Sequence, residues 1–193
     1  MTLSLLSWRR TVSELYAAVR ATPDAEVAWN RWRRVRNQLF AHHPDSPVQR
    51  SSFRGLRYRP YDPKLRFTVR VQAAEPARFE VPTATDGIVP FTRTGMIELP
   101  ALGTLDVWWL DSYGGGIFLP LKDATCGATS YGGGRYLLDT VKGADLGEDV
   151  GKLIVDLNFL YNPSCAYDAK WACPLPPAGN VLSVSIDAGE LGT

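Results

Sequence analysis

The chain has 193 residues, of which 45% are hydrophobic and 21% charged, and these values are ordinary for one folded domain. They exclude a disordered or fibrous protein, and no segment approaches the roughly 20 apolar residues of a membrane-spanning helix. A secretory signal has a basic segment, then an apolar run, then a small-residue cleavage site. The sequence does not show this order, so a secretory signal is not predicted. The sequence predicts a cytoplasmic protein, and its three cysteines, an odd number, fit a reducing compartment.

Charge is divided unequally along the chain. Residues 1–70 hold 14 of the 21 Lys and Arg but only 5 of the 20 Asp and Glu, which leaves 7 basic against 15 acidic residues in 71–193. A basic N-terminal part is compatible with a nucleic-acid or lipid partner, but it is equally expected of two layers of one fold that attract each other. The intramolecular interpretation is favoured.

Two amphipathic helices are predicted in the first 46 residues. The first covers 5–20, where apolar residues recur at helical spacing, namely Val12, Leu15, Tyr16 and Val19. The second is predicted to begin at Thr22, whose hydroxyl can cap free amides, and to end near His42, because Pro44 cannot continue a helix. Its apolar stripe consists of Ala28, Trp32, Val35 and Leu39.

The rest of the chain has the pattern of short β-strands separated by Gly and Pro. Nine strands are predicted, at 67–72, 79–82, 88–92, 95–99, 104–110, 117–121, 135–140, 153–160 and 182–186. With no helices between them, these strands favour an antiparallel arrangement. The predicted fold is α+β, with an N-terminal helical pair (1–46) packed on a mostly antiparallel β-sandwich or partly closed β-barrel (47–193), all in one domain (1–193).

Arginines of the second helix surround Trp32 in the sequence, namely Arg31, Arg33, Arg34 and Arg36. This composition superficially suits phosphate contacts and stacking, but on a helix these side chains spread around the axis instead of forming a one-sided patch. Nucleic-acid binding is therefore disfavoured. An alternative is that the basic helical pair docks on a protein partner or on a second copy in a homodimer, with Trp29 and Trp32 as anchors.

Two glycine triplets, at 114–116 and 132–134, raise the possibility of a phosphate cradle. Such cradles lead into a helix N-terminus, whereas each triplet here leads into a predicted strand. Tight corners or close backbone approach are the favoured explanation.

Polar residues alternate along two predicted strands. Arg135 and Asp139 share one face of the first, and Asp156, Asn158 and Asn162 share one face of the second. Two interpretations remain open: the solvated face of an ordinary sheet, or a polar pocket inside a barrel. Burial of these side chains decides between them.

Cys165 and Cys173 are separated by seven residues, and no second closely spaced pair exists, so zinc is weakly indicated. A disulfide or two buried thiols is the favoured interpretation, with a metal site completed by His42 or His43 as a minor one. No Gly-x-Ser-x-Gly motif is present, and no histidine follows residue 43, which disfavours a catalytic triad.

Five sequence blocks resemble a known family. They read LFAHHPDSP at 39–47, FRGLRY at 53–58, YGGGRYL at 131–137, NFLYNPSCAY at 158–167 and CPLPP at 173–177. Over residues 29–190 the chain resembles the bacterial domain-of-unknown-function family numbered sixteen-eighty-four. The resemblance implies a set of signature residues, here Asp123, Thr125, Gly127, Tyr131, Arg135, Tyr136, Asp156, Asn158, Tyr161, Asn162, Cys165 and Cys173. It implies no activity and no cofactor.

The leading hypothesis is a small-molecule ligand bound in a polar pocket of the β-barrel-like domain, with the question of enzymatic activity open. Arg135 is expected to hold a carboxylate or phosphate of that ligand. The predicted ligand-binding residues are Asp123, Thr125, Tyr131, Arg135, Asp139, Asp156, Asn158, Tyr161, Asn162 and Cys165. Two alternatives remain: the interaction module built on the basic helices, and a structural metal or redox site at Cys165 and Cys173.

Overall fold

Two helices open the fold in the computed structural model, which describes residues 3–83 and 87–192. Helix α1 is Leu3–Arg20 and helix α2 is Ala25–His42, so both predicted helices are confirmed. The start of α2 differs from the prediction, because Asp24 is its cap and accepts a hydrogen bond from the Val27 amide at 2.9 Å. Thr22 instead donates to the Ala18 carbonyl at the end of α1 (2.7 Å).

Two antiparallel sheets follow the helices in the described structure. The strands are β1 (Arg66–Val69), β2 (Arg78–Thr83), β3 (Gly87–Leu99), β4 (Gly103–Leu110), β5 (Gly116–Leu121), β6 (Arg135–Asp139), β7 (Glu148–Asp149) and β8 (Lys152–Asp156). One sheet has the order β2-β3-β4-β5-β6, and the other has the order β1-β8-β7. Single bridges, Gln72 to Met96 and Tyr136 to Tyr161, connect them without closing a barrel. The predicted α+β architecture is confirmed.

Three strand predictions need correction. Segments 88–92 and 95–99 form one strand, β3, with a bulge between Arg93 and Gly95. Segment 153–160 leaves the sheet at Asp156, whose side chain caps a 3-10 turn over Leu157–Phe159. Segment 182–186 is not a strand within the described residues, although Leu182 donates to the Lys122 carbonyl (2.9 Å). A bulge lets the first two segments continue as one strand, and capping by the Asp156 side chain ends β8 early.

One buried hydrophobic cluster joins the helices to both sheets, with members such as Leu15, Trp32, Ile97 and Val155. A second, aromatic cluster covers the other face of the five-stranded sheet: Phe91, Trp108, Phe118 and Tyr136. Every residue of β6 is consequently buried, and the solvated sheet face considered for this strand is not observed. Among the described residues, no helix combines the length and the apolar character required to cross a membrane.

Within the described residues, four ion pairs connect the basic part of the chain to the acidic part. They are Arg20 with Asp145, Arg36 with Glu190, Arg59 with Asp187, and Arg66 with Asp156. Attraction within the fold therefore accounts for part of the charge asymmetry.

The two tryptophans expected to anchor a partner lie inside the core. Trp29 is 3% exposed and Trp32 is fully buried. Neither side chain is available to a docking surface, so this element of the interaction hypothesis is wrong. The physical reason is that both lie on the helical face that packs against the sheets, next to Tyr61 and Phe159.

Candidate functional site

Glu190 is the centre of a buried polar network, here called the Arg36 cluster (Arg36, Tyr58, Asn162, Tyr167 and Glu190). Arg36 Nη2 lies 2.9 Å from Glu190 Oε2, which also accepts from the Asn162 amide at 3.0 Å. The Tyr167 hydroxyl donates to Oε1. Glu190 is only 1% exposed, so its carboxylate has exchanged water for these protein donors.

Helix α2 positions Arg36 one turn after Trp32, on the face that packs against the sheets. Its guanidinium lies 5.0 Å from the ring centre of Trp32 and 4.9 Å from that of Tyr161, distances typical of cation–π contacts. Arg36 Nε also donates to the Tyr58 hydroxyl at 3.1 Å. The charge of Arg36 is thus held by π-faces and by one carboxylate.

Burial is the main influence on the titration of this cluster. It raises the pKa of Glu190 above its ordinary value, although Arg36 and the hydrogen bond from Tyr167 act in the opposite direction. Burial also raises the pKa values of Tyr58 and Tyr167 well above the ordinary tyrosine value. Both hydroxyls therefore stay protonated at neutral pH and remain hydrogen-bond donors.

A cavity of about 470 Å³ adjoins this cluster and is here called the Glu190 cavity. Its walls come from residues 48, 49 and 52–57, from Ala166 and Tyr167, and from residues 190–192. Phe53 and Leu56 contribute apolar surface, whereas Arg54 and Arg57 contribute exposed positive charge. A cavity of this size, with apolar walls and a few polar groups, has the features of a small-molecule site.

A second buried network, the Arg135 clasp, consists of Arg135, Asp123 and the carbonyls of residues 186, 188 and 190. Arg135 Nη2 lies 2.7 Å from Asp123 Oδ2, and both terminal nitrogens donate to those carbonyls. Asp123 Oδ1 accepts from the amides of Thr125 and Ile186 at 2.8 and 3.2 Å. Arg135 is 1% exposed, and its terminal nitrogens are engaged by carbonyls of the protein's own C-terminal segment.

The pKa of Asp123 moves in the opposite direction from that of Glu190. Burial acts to raise it, but Arg135 and the hydrogen bonds from Thr125 outweigh burial and hold it below its ordinary value. Asp123 therefore remains ionised, as an ion pair with Arg135 requires.

Asp156 and Asn158 form a third group, at the end of β8. Both carboxylate oxygens of Asp156 accept hydrogen bonds, Oδ1 from Asn158 and Oδ2 from Tyr61. The Asn158 amide group exchanges two hydrogen bonds with the backbone of Asp62 at 2.8 and 2.9 Å. The Trp29 indole donates to the Asn158 carbonyl at 2.9 Å. These contacts connect α2, the 61–62 segment and β8.

Two cysteines and a tyrosine form a fourth group. The Tyr131 hydroxyl lies 3.7 Å from Cys165 Sγ, and the Cys165 amide lies 3.4 Å from Cys173 Sγ. All three cysteines are free thiols. Burial raises the pKa of Cys173 to about 11, and the hydrogen bond with Cys165 raises the pKa of Tyr131 to about 12.

The structure does not support a metal at these cysteines. Within residues 3–83 and 87–192, no three His, Cys, Asp or Glu side chains are grouped so that they could hold an ion. The ring of His43, considered as a further ligand, instead accepts from the Asp45 amide at 3.1 Å.

The predicted site residues are therefore distributed over separate groups. Asp123, Thr125 and Arg135 lie in one, Asp156 and Asn158 in another, and Tyr131 and Cys165 in a third. Asp139 pairs with Lys142 at 3.2 Å. Asn162 belongs to the Arg36 cluster, the Tyr161 ring contacts Arg36, and Arg135 donates to the Glu190 carbonyl at 3.3 Å.

Four residues of the Arg36 cluster were missed in the sequence: Arg36, Tyr58, Tyr167 and Glu190. One signal for Arg36 was present, since it follows Trp32 by four residues and so interrupts the apolar stripe of α2. A charge in that position requires a buried partner. Nothing in the sequence indicated which acid, 154 residues away, would supply it.

Comparison with known proteins gives a family and a similar solved structure. The family described as "Protein of unknown function (DUF1684)" matches residues 51–191. The solution NMR structure of an uncharacterized protein from gene locus rrnAC0354 of Haloarcula marismortui is similar, with a TM-score of 0.59 and 30% sequence identity. That similarity covers 86% of this chain and 93% of the other. No curated protein matches the chain.

Proposed function

The chain belongs to the DUF1684 family of proteins of unknown function, as its sequence blocks predicted, and on that premise we propose that it binds a small anionic molecule in the Glu190 cavity. The observation that carries the proposal is the position of this cavity, of about 470 Å³, next to a buried and fully paired carboxylate. Sites for small ligands commonly combine such a volume with a few fixed polar groups.

The charges around the cavity favour an anion. Arg36 neutralises Glu190 at 2.9 Å, so this carboxylate does not repel a negative ligand strongly. Arg54 and Arg57 are exposed and line the cavity. One terminal nitrogen of each donates to backbone carbonyls, and the remaining donors suit a carboxylate or a phosphate. The ligand's anionic group is expected to lie between these two guanidinium groups.

The walls favour a ligand that also has an apolar part. Phe53 and Leu56 are half-buried and line the cavity. A molecule that covers both side chains removes apolar surface from water, which contributes roughly 25 cal/mol for each Å² buried. Small organic acids and organic phosphates meet both requirements.

Isothermal titration calorimetry with a panel of organic carboxylates and phosphates tests the proposal. We expect at least one binder, and we expect the double variant Arg54→Gln/Arg57→Gln to weaken its Kd about tenfold or more, since each tenfold step corresponds to about 1.4 kcal/mol. Arg31→Gln is the matched control, because Arg31 is exposed on α2 and does not line the cavity. Equal affinity in the double variant and in this control would contradict the proposal.

A further inference from the structure

Beyond this ligand site, we infer that Cys165 and Cys173 form a reversible disulfide and thus act as a two-electron redox site. The inference does not depend on the Glu190 cavity. It rests on the placement of the two sulfur atoms, on their partial exposure and on the loop that joins them.

The two cysteines lie against each other at the ends of a short loop. Cys165 belongs to the 3-10 turn Ser164–Ala166, and its amide donates to Cys173 Sγ at 3.4 Å. Cys126 lies apart from this pair, with its sulfur 3.7 Å from the Ser130 hydroxyl. Thiol positions therefore favour pairing of Cys165 with Cys173.

The surroundings suit thiol chemistry. Both cysteines are half-buried, so a small oxidant can reach them. The Tyr131 hydroxyl, 3.7 Å from Cys165 Sγ, can donate to a thiolate at that position and stabilise it. The Cys165 amide can do the same for a thiolate at Cys173.

The connecting segment can accommodate a new covalent bond. Lys170 and Trp171 are exposed, and they contact Asp168 and each other inside the same loop, so this turn can shift as a unit in the closed form. The residue after Cys173 is fixed, because the carbonyl of Pro174 accepts a hydrogen bond from the Tyr136 hydroxyl at 2.6 Å. One end of the loop is thus held while its centre can move.

The reaction is an exchange with a small disulfide such as glutathione disulfide. The Cys165 thiolate attacks one sulfur of the oxidant, and one glutathione thiolate leaves. The Cys173 thiolate then attacks Cys165 Sγ in the mixed disulfide and displaces the second glutathione. The protein loses two electrons and two protons, and the oxidant is reduced to two thiols. Cys165 attacks first because the Tyr131 hydroxyl lies 3.7 Å from its Sγ and can stabilise its thiolate, and the Cys173 thiol releases its proton to solvent before the second step.

The test is mass spectrometry of the whole chain after incubation with glutathione disulfide. We expect a loss equal to two hydrogen atoms, and we expect the titratable thiols of the unfolded chain to fall from three to one. Dithiothreitol should restore both values. An unchanged mass, or a protein that carries only glutathione adducts, would overturn the inference.

Tryptic digestion of the wild-type protein identifies the bond without any variant. Trypsin cuts after Lys122, Arg135, Lys152 and Lys170, which places the three cysteines in three different peptides. We expect the peptides with Cys165 and Cys173 to stay joined until reduction. A linked peptide that contains Cys126 instead would contradict the assignment.

Variants provide the matched control. The Cys126→Ser variant should still lose two hydrogen atoms, whereas the Cys165→Ser variant should lose none. In Cys165→Ser, a glutathione adduct at Cys173 should form more slowly than the disulfide forms in the wild type. If Cys126→Ser abolishes the mass loss and Cys165→Ser does not, the pairing proposed here is wrong.

Discussion

The Arg135 clasp and the Arg36 cluster each contain a buried arginine that binds the C-terminal segment. Arg135 binds the backbone of residues 186, 188 and 190, and Arg36 binds the carboxylate of Glu190. Both arginines are nearly inaccessible, at 1% and 8% exposure. They differ in what lies beyond them, since the partner of Arg36 lines a cavity and Asp123, the partner of Arg135, does not.

This difference shows that burial and charge do not by themselves identify a binding site. Carbonyls of the chain surround the two terminal nitrogens of Arg135, which is the arrangement expected of a structural support. The expectation that Arg135 holds a ligand's anion therefore has no support in its contacts. The Arg36 cluster remains the better candidate because space for a ligand adjoins it.

The largest expected effect is that of Arg135→Met. It leaves the Asp123 charge buried and three carbonyls without a donor, so the free energy of unfolding should fall by about 3–5 kcal/mol. Denaturant unfolding measures this loss, with Arg31→Met as the surface control. Adding Asp123→Asn should recover part of it, since no unpaired charge then remains. A loss below about 1 kcal/mol would show that the clasp contributes little.

Arg36→Met should have a somewhat smaller effect, about 2–4 kcal/mol, because Glu190 can take up a proton when its partner is lost. This variant also sharpens the comparison. At a pH high enough to ionise Glu190 in this variant, its carboxylate without Arg36 would repel an anion in the cavity, so we expect weaker anion binding there, measured by calorimetry. Unchanged affinity would show that the Arg36 cluster does not influence binding at the ligand site.

Gly189→Ala perturbs both networks at once through the backbone. Gly189 has a φ of +75°, and an added Cβ would lie 2.5 Å from Leu160 Cβ. We expect a loss of about 2 kcal/mol in the free energy of unfolding. Gly132→Ala is the matched control, because its nearest neighbour would lie at 3.6 Å. Equal stability of the two variants would indicate that the C-terminal segment is free to move.

The smallest expected effect is a difference in pH dependence. Burial raises the pKa of Glu190 in the folded protein above its pKa in the unfolded chain. The stability contributed by protonation of Glu190 is therefore fully present below the unfolded-chain pKa, and it is lost as the pH rises through the folded-state pKa. Relative to Glu190→Gln, the wild type should lose stability from roughly pH 4 towards neutral pH. Asp123 has a lowered pKa, and its contribution is lost as pH falls.

Unfolding curves at several pH values, measured for wild type and Glu190→Gln, test this prediction. A stability difference that grows in favour of the wild type with rising pH would contradict it. The same measurement on Asp123→Asn should show the reverse slope at acid pH, which separates the two networks.

Local pattern was enough to predict the main elements of the fold. Helical spacing of apolar residues identified both helices, and short segments of strand-forming residues separated by Gly and Pro identified most strands. The errors lie where a side chain acts on the backbone. Asp24 rather than Thr22 caps α2, and Asp156 ends β8 by capping a 3-10 turn. Capping preferences overlap between residue types, so the sequence could not select the right one.

The candidate site was decided by tertiary structure alone. Periodicity placed Arg135 and Asp156 on strand faces, but it could not show that both faces of β6 are covered. The partner of Arg36 is Glu190, 154 residues away, in a segment without regular secondary structure. The sequence by itself determined the elements, because their hydrophobic periods are local. The pairing of buried charges and the cavity beside them depend on contacts between distant segments, which only the folded chain brings together.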